Sequence, residues 1–447
     1  MDRIALQKSR YAAVILAAGF SSRMNAFKPL LPFGEQTAVE VLGKTALAAG
    51  LSPVLIISGH GREQLAADIE RWSGGLAGEP GAVREVCNED YPEGMFTSIR
   101  KGIETLEEAQ KPQMASADAE SLRGCFVMPV DCPLIGAETI ETMITALEES
   151  GGNDDTADRA AGGPADCFAA PTYRGKKGHP LYVPRRFWQE ILQSDGAGGL
   201  NTITYRHPEE MLRIPVEHEG VVMDMDDRDG YEALEDYYEN GSGPSLLELA
   251  AGRRFIFVRH GEIEQHASPI FLGSTDVPLS ERGILQARQA AEQLRTLGCA
   301  PARLYTSPLS RAVQTAEEIA GAFGGAEDAE ERGGVAVEAV PGLREMALGS
   351  WDGLPVSEVR ERFPEAYAAR GRDLFAFKID GKAENFFDMQ YRAVKALKEI
   401  LRKDPAEEIY LVSHKGVLRA LENNLRGGQV EDGWEPMEVG GVRVVQC

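Results

Sequence analysis

What this chain of 447 residues lacks narrows its nature first. No apolar run approaches the roughly 20 residues that cross a bilayer, so no membrane-spanning segment is expected. The opening residues, MDRIALQKSR, are polar and lack the apolar centre of a secretory signal. The cysteines, Cys87, Cys125, Cys132, Cys167, Cys299 and Cys447, show neither Cys-x-x-Cys spacing nor the density of a disulfide framework. Reduced thiols in a cytoplasmic protein are the simplest account. Positive charge is scarce: 47 Lys and Arg face 70 Asp and Glu, a formal net charge of −23. That balance speaks against nucleic-acid and anionic-membrane partners, and any bound anion must be held by local cations. Also absent are the P-loop ending Gly-Lys-Ser/Thr and the three-glycine dinucleotide fingerprint.

What is present describes a soluble globular protein: 43% hydrophobic and 26% charged residues. The length exceeds one ordinary core, so two domains are expected. In the first half, strands are predicted over 12–16, 53–58, 83–87 and 124–130, with helices over 37–49, 62–72 and 95–109. This alternation predicts a Rossmann-like parallel sheet with helices on both faces, ligands binding beyond the carboxyl ends of its strands. The polar stretches 110–123 and 150–166 read as exposed loops. Asn240–Gly252, NGSGPSLLELAAG, joins a Gly/Ser/Pro break to a possible short helix. The domains are therefore placed at 1–240 and 253–447, with 241–252 as linker. The second half again alternates, with strands over 254–258, 304–307, 335–340 and 408–412 and helices over 281–297, 310–323 and 388–403. It reads as a second α/β domain, with the acidic, Gly-rich 324–334 as a surface loop.

Two stretches carry the chemistry of the first half. Leu16 to Phe33, LAAGFSSRMNAFKPLLPF, leaves an apolar strand through the small residues Ala17, Ala18, Gly19, Ser21 and Ser22 and then offers Arg23 and Lys28. Small residues let backbone N–H groups approach an anion, and the two cations can neutralise a polyphosphate. Read alone, such a loop is as much a tight turn as a phosphate cradle. Val127 to Leu134, VMPVDCPL, puts Asp131 just past a buried strand. A carboxylate there suits Mg²⁺ bridging phosphates, although a lone Asp in such a place is more often a helix N-cap, here before Ile140. A second acidic run, Asp224-Met225-Asp226-Asp227, precedes a helix at Tyr231 and reads either as more metal ligands or as a solvated turn.

Leu16-Ala17-Ala18-Gly19-x-Ser21-x-Arg23-Met24 with Lys28 and Leu30-Leu31-Pro32 resembles the signature of molybdenum-cofactor nucleotidyltransferases, its cytidylyltransferase branch most of all. Asn88 with Gly94-Met95 and Ser98, and Gly178-His179-Pro180, resemble segments of the same family along its nucleotide and acceptor pockets. The resemblance spans most of residues 10–235. It departs at Asn25, where the family has glycine, at Ser194 in a Gly-Asp-x-Gly turn, and at Asp227-Arg228 in place of Thr-Pro. The resemblance implies transfer of CMP from CTP to a molybdopterin-type acceptor with release of pyrophosphate. It assigns nucleotide binding to Leu16, Ala17, Ala18, Gly19, Ser21, Arg23, Lys28, Asn88 and Ser98. Mg²⁺ binding falls to Asp131 with Asp226 or Asp224. GTP as donor, or another small phosphorylated acceptor, is the alternative.

In the second half, Phe257-Val258-Arg259-His260-Gly261-Glu262 sets Arg and His directly after a strand. A neutral imidazole there can take a phosphoryl group while neighbouring cations hold its oxygens, although a lone strand-end His is more often structural. Ser307 to Ala316 supplies Arg311, Leu343 to Gly353 supplies Glu345, and Val412 to Val417 supplies His414. These four blocks, in this order over about 253–425, resemble the histidine phosphatase (phosphoglycerate mutase-like) superfamily. The block Leu272 to Gly283 is similar to its α-ribazole phosphatase branch, which favours hydrolysis over mutation. The resemblance makes His260 the nucleophile, Arg259, Arg311 and His414 the phosphate pocket, and Glu345 the acid. Departures lie at Ile263, His266, Lys415 and Ala383-Glu384-Asn385. The whole then reads as a bifunctional enzyme, with a non-catalytic, regulatory phosphatase half as the alternative.

Overall fold

A computed structural model of the chain describes residues 10–19, 26–74, 82–110, 121–149, 166–241, 243–264, 269–324 and 334–447. The chain divides into two compact units, Met1–Gly243 and Pro244–Cys447. Among the described residues, no helix is long and apolar enough to cross a membrane.

The first unit is built on β1 (Tyr11–Leu16), α1 (Ala38–Ala48), β2 (Val54–Ser58), α2 (Arg62–Ser73), β3 (Val83–Cys87), α3 (Met95–Gln110), β4 (Gly124–Pro129), α4 (Ala137–Glu149), β5 (Phe168–Tyr173), β6 (Leu181–Pro184), β7 (Met211–Pro215) and α5 (Arg228–Asn240). The strands run in the order β7-β5-β6-β4-β1-β2-β3, with a two-residue strand, Lys176–Lys177, paired to β5. Strands β1, β2, β3 and β4 are mutually parallel where they pair. Every residue of β1 is buried, and its alternate side chains enter two cores: Ala13 and Ile15 on one face, Ala12 and Val14 on the other. A strand covered on both faces is what a continuous apolar run supplies.

The sheet is mixed rather than wholly parallel. Strand β6 pairs antiparallel with β4 and β5, and β5, β6 and β7 were not expected from sequence. These three are short and each ends at or contains proline or charge, so no long apolar run announces them. Gln110, expected in a loop, ends α3 and is buried, its side chain accepting from Leu122 N at 3.1 Å.

The second unit comprises α6 (Leu246–Ala250), β8 (Arg254–Arg259), α7 (Glu281–Thr296), β9 (Arg303–Thr306), α8 (Ser310–Phe323), β10 (Ala336–Ala339), α9 (Val356–Arg362), α10 (Pro364–Arg372), α11 (Phe386–Lys403), β11 (Glu408–Ser413), α12 (Lys415–Leu425) and β12 (Val442–Gln446). Its five strands run β10-β9-β11-β8-β12, all pairings parallel except β8 with β12. As in the first unit, the central strand serves two cores, Phe255 and Phe257 on one face and Ile256 and Val258 on the other.

The expected linker 241–252 differs from the structure. Within it α6 starts with a capping box, Ser245 accepting from Glu248 N while the Glu248 side chain accepts from Ser245 N. Leu246 and Ala250 then bury into the second unit's core. A capped helix with an apolar face is part of a domain, and the unit begins at Pro244.

Candidate functional site

In the first unit the chemistry gathers at the carboxyl ends of the parallel strands. Leu16, Ala17 and Ala18 are buried and Gly19 is exposed. Ala17 N donates to Ile57 O at 3.0 Å and Ala18 O accepts from His60 N at 3.2 Å, which ties the start of the loop to the end of β2. Ser21 and Arg23 lie outside the described residues. Beside the loop the half-buried rings of Phe27, His60 and Tyr91 approach one another, at 5.9 Å and 6.5 Å between centroids. Sequence reading did not single out these rings, since isolated aromatics in loops carry no spacing signal.

Asp131 follows β4, six residues before α4, so it is not that helix's N-cap. The Asp131 carbonyl accepts from Met225 N at 2.9 Å, which brings the acidic run 224–227 against it. Burial holds the Asp131 carboxyl above the usual range, opposed by Lys28 and reinforced by Asp226 and Asp224. Lys28 Nζ pairs with Asp226 Oδ1 at 3.1 Å, while Asp227 is spent as the N-cap of α5. The three carboxylates Asp131, Asp224 and Asp226 therefore share one neighbourhood with Lys28. Their ligating oxygens do not all lie within 4.8 Å of one another; among the described residues, the group that meets that spacing is His207, Glu209 and Glu210. All three aspartates are hard oxygen donors, the chemistry that Mg²⁺ takes, and their mutual repulsion falls when a cation joins them.

Asn88 and Ser98 are both buried and bonded to each other: Asn88 Nδ2 donates to Ser98 Oγ at 3.0 Å and to Thr97 Oγ1 at 2.9 Å. The amide hydrogens of Asn88 are thus committed within the protein, and its Oδ1 accepts from Asp90 N at 3.1 Å. His179 stands in a turn held by its N–H to Val221 O at 2.8 Å. Its buried Nδ1 has no hydrogen-bond partner, and burial, with Lys177 and Lys176 adding, pushes its pKa down to about 4.

The second unit brings Arg259, His260, Arg311, Glu345 and His414 together. His260 is delivered by the end of β8, its N–H donating to Ser413 O of the neighbouring β11 at 3.0 Å. His260 Nδ1 lies 2.8 Å from Gly261 O. A carbonyl only accepts, so Nδ1 carries the proton and Nε2 keeps its lone pair. Burial, helped by Arg311 and Arg259 and opposed by the Gly261 carbonyl, pushes the imidazole pKa down to about 3. His260 is neutral at physiological pH.

His414 is fully buried, with its ring centroid 5.0 Å from that of His260. Arg311 Nε donates to His414 Nδ1 at 3.3 Å, and His414 Nε2 lies 2.7 Å from Ser307 Oγ, so the proton of this ring sits on Nε2. Arg311, 1% exposed, also donates to Thr275 O and Gly273 O at 2.9 and 2.8 Å. Asp352 holds that same loop by accepting from Gly273 N, Ser274 Oγ and Thr275 N. Arg259 donates through Nη1 to Met437 O at 2.6 Å, and its buried Nε has no partner. A buried guanidinium, Arg311, and a half-buried one, Arg259, beside two imidazole rings form a local cationic cluster in an otherwise acidic protein.

Glu345 accepts at Oε1 from Met346 N at 3.0 Å. Burial raises its pKa, against the pull of the Met346 N–H, Arg311, the Gly416 N–H and Arg392. Gly416 is glycine because a Cβ there would sit 2.9 Å from Glu345 Oε1 and 3.3 Å from Met389 Sδ. Ser307, Asp352, Glu384 and Arg392 support these groups and were not assigned roles from sequence. Ser307, Asp352 and Glu384 stood inside or beside blocks read from sequence without a role of their own; Arg392 reaches the site by helix packing, which leaves no motif.

Known proteins resemble both units. Residues 255–446 match the family described as histidine phosphatase superfamily (branch 1), and residues 13–211 match the MobA-like NTP transferase domain. A metal-independent phosphoserine phosphatase of Arabidopsis thaliana is 36% identical over 37% of this chain and 66% of its own length. Phosphoglycerate mutase-like protein 4 of the same plant is 34% identical over 38% of this chain and 70% of its own length. The chain thus spans about two thirds of these relatives. A solved structure of a putative α-ribazole-5′-P phosphatase from Escherichia coli K-12 is 25% identical, covering 43% of this chain and 89% of its own, with a TM-score of 0.38. The chain therefore belongs, through its second unit, to the histidine phosphatase superfamily, and its first unit is a MobA-like NTP transferase domain.

Proposed function

We propose that the second unit hydrolyses phosphomonoesters through a phosphohistidine on His260. The observation that carries this is a neutral His260 with Nδ1 protonated and Nε2 free, set between the half-buried Arg259 and the buried Arg311. In the reading, Nε2 attacks phosphorus, the bond from phosphorus to the ester oxygen breaks, and Glu345 gives its proton to the departing oxygen. Water then attacks phosphorus, its proton passes to the Glu345 carboxylate, the phosphorus–Nε2 bond breaks with its electron pair returning to His260, and inorganic phosphate leaves. Arg259 and Arg311 hold the phosphoryl oxygens as charge shifts onto them, and His414, engaged by Arg311 at Nδ1 and by Ser307 Oγ at Nε2, orients Arg311 for that task. The raised pKa of Glu345 supports its role, since an acid must still hold its proton near neutral pH.

For the first unit the proposal is Mg²⁺-dependent transfer of a nucleotidyl group, CMP from CTP by preference, to a molybdopterin-type phosphorylated acceptor. An acceptor phosphate oxygen attacks the α-phosphorus, the bond to the β-phosphate bridging oxygen breaks, and pyrophosphate leaves. The acceptor is already anionic, so no general base is needed, and catalysis is positioning and charge neutralisation. Asp131 with Asp226 or Asp224 would hold Mg²⁺, which supplies charge neutralisation on the triphosphate. Lys28 sits beside them as a fixed cation, and the Phe27, His60 and Tyr91 rings offer a stacking surface for a base. The cytidylyltransferase branch rests on the resemblance of Leu16 to Pro32.

The test uses the His260→Ala protein with Mg²⁺, molybdopterin-type cofactor and each NTP in turn, following pyrophosphate and the nucleotide-linked product. Turnover selective for CTP is expected. Selectivity for GTP moves the protein to the sister branch, and no turnover from a protein that binds nucleotide rejects the acceptor. For the second unit, a phosphoryl donor labels wild type and not His260→Ala. A wild type that neither labels nor hydrolyses a phosphomonoester overturns the phosphatase reading.

A further inference from the structure

Glu345 lies just past a 3-10 turn, Pro341–Leu343, in a segment, 342–347, that belongs to no strand or α-helix. Its geometry is imposed from α11 and from the turn before it. Arg392, on α11, forms a fork with Glu384: Nε donates to Oε1 and Nη2 to Oε2, both at 2.8 Å. Its remaining arm, Nη1, donates to Gly342 O at 2.7 Å and to Arg344 O at 3.0 Å. Glu384 accepts from Ala347 N at 2.9 Å and from Arg344 Nη2 at 3.3 Å, and its own N–H donates to Ala347 O at 2.8 Å. Ser413, adjacent to His414, adds a bond from Oγ to Leu343 O at 2.7 Å. Close packing supports this, since a Cβ on Gly342 would lie 2.3 Å from Ala396 Cβ on α11.

The clamp therefore grips the backbone on both sides of Glu345, at residues 342 and 344 before it and at 347 after it. Its two charged side chains are each only about one-sixth exposed, at 16% and 15%. A bidentate pair in that setting is geometrically stiff. We propose that Glu384 and Arg392 are positioning residues for the acid Glu345: the pair holds the acid's segment in place, and Glu384 cancels the Arg392 charge that would otherwise act on it. This rests on the phosphatase reading of the second unit.

Electrostatics supports the second half of the proposal. Arg392 is among the cations that pull Glu345 down against burial. Burial alone would raise Glu384, but its bonds and charge interaction with Arg392, the Ala347 N–H and Arg344 hold it below the usual range, ionised and able to neutralise Arg392. Arg259 from β8 and Arg311 from α8 also act on Glu345 and keep their surroundings when Glu384 changes, whereas Arg344, next to Glu345, shares Glu384 with Arg392 and is uncovered together with it.

The decisive measurement compares leaving groups. An alkyl phosphate needs its departing oxygen protonated, whereas 4-nitrophenyl phosphate, whose leaving group is a stable anion, needs this far less. Glu384→Gln is expected to lower kcat for the alkyl ester by about tenfold or more and for the aryl ester by less than about threefold, with KM little changed for both. The acid works only when protonated, so a lowered Glu345 pKa moves the alkaline limb of the rate profile to lower pH. Glu345→Gln should show the same leaving-group selectivity, and combining it with Glu384→Gln should add no further loss. His260 labelling by the aryl ester persists in all three variants and reports an intact pocket. An equal loss on both esters, additive losses in the double variant, or no loss at all overturns the inference. If Glu384→Gln does not fold, Glu384→Gln/Arg392→Gln, which removes both charges, carries the same comparison of esters. A wild type that neither labels nor hydrolyses either ester instead removes the phosphatase reading itself.

Discussion

Lowering the pH should destabilise the second unit through His260, and the size of the effect can be worked from the site. In the unfolded chain the imidazole titrates at 6.5; in the fold, burial, Arg311 and Arg259 push it down to about 3. A folded pKa below the unfolded one means that the unfolded state binds the proton more readily. The stability this group permits is thus complete above 6.5 and is lost as pH falls below it. Between about pH 7.5 and pH 5 the unfolded state gains about 1.5 pKa units of proton binding that the native state forgoes, roughly 2 kcal/mol at 1.36 kcal/mol per unit. His260 is only partly shielded from solvent, so about 1–2 kcal/mol is the working figure. The assay is urea unfolding of wild type and His260→Ala at both pH values in phosphate-free buffer, read as the difference of differences. Contributions from the first unit, His414 and the acidic residues are common to both proteins and cancel. His260→Ala should lose about 1–2 kcal/mol less than wild type on acidification. An identical loss in both proteins would mean that His260 titrates normally, and the neutral-nucleophile argument would fall with it.

Asp131→Ala should abolish NTP turnover by the first unit, by about 100-fold or more, while phosphomonoester hydrolysis stays at the wild-type rate; unchanged NTP turnover would sink the metal assignment. Gly416→Ala puts a methyl 2.9 Å from Glu345 Oε1, so kcat of the phosphatase should drop about tenfold with its KM and melting temperature nearly unchanged. A wild-type kcat would show that Glu345 has room to spare. Leu246→Ala empties a position 2% exposed and should cost the second unit about 2–4 kcal/mol, while Ser245→Ala, which removes the cap, should cost about 1 kcal/mol. Both are read as faster thermal inactivation of phosphatase activity, and a 241–252 segment that served only as a tether would show neither.

Much of the architecture around the sites is legible without coordinates, for a specific reason. Strands such as β1 and β8 are buried on both faces, so their sequences are uninterrupted apolar runs that end where the reactive loop begins. Parallel topology then sends Asp131, His260 and His414 to the carboxyl ends of their strands, and position along the chain predicts position in the site. Strands β5 to β7 escaped because a short strand whose register is set by its neighbours needs little apolar signal of its own.

By itself the sequence determined which residues to propose for the chemistry: the Arg259–His260 pair, Arg311, Glu345, His414, Asp131 and Lys28 all sit in blocks whose residue types and order are local properties of the chain. Tertiary structure decided their states and their company. Asp227 became a helix cap while Asp226 paired with Lys28; Asn88 and Ser98 turned inward to each other; segment 246–250 joined a core instead of spanning a gap. It also set the proton on Nδ1 of His260 and brought Arg392 and Glu384 to both flanks of Glu345. The physical reason is the same in each case. Residue type sets what a side chain is able to donate, accept or carry, whereas burial and partners distant along the chain, which exist only after folding, set its charge and which of those bonds it makes.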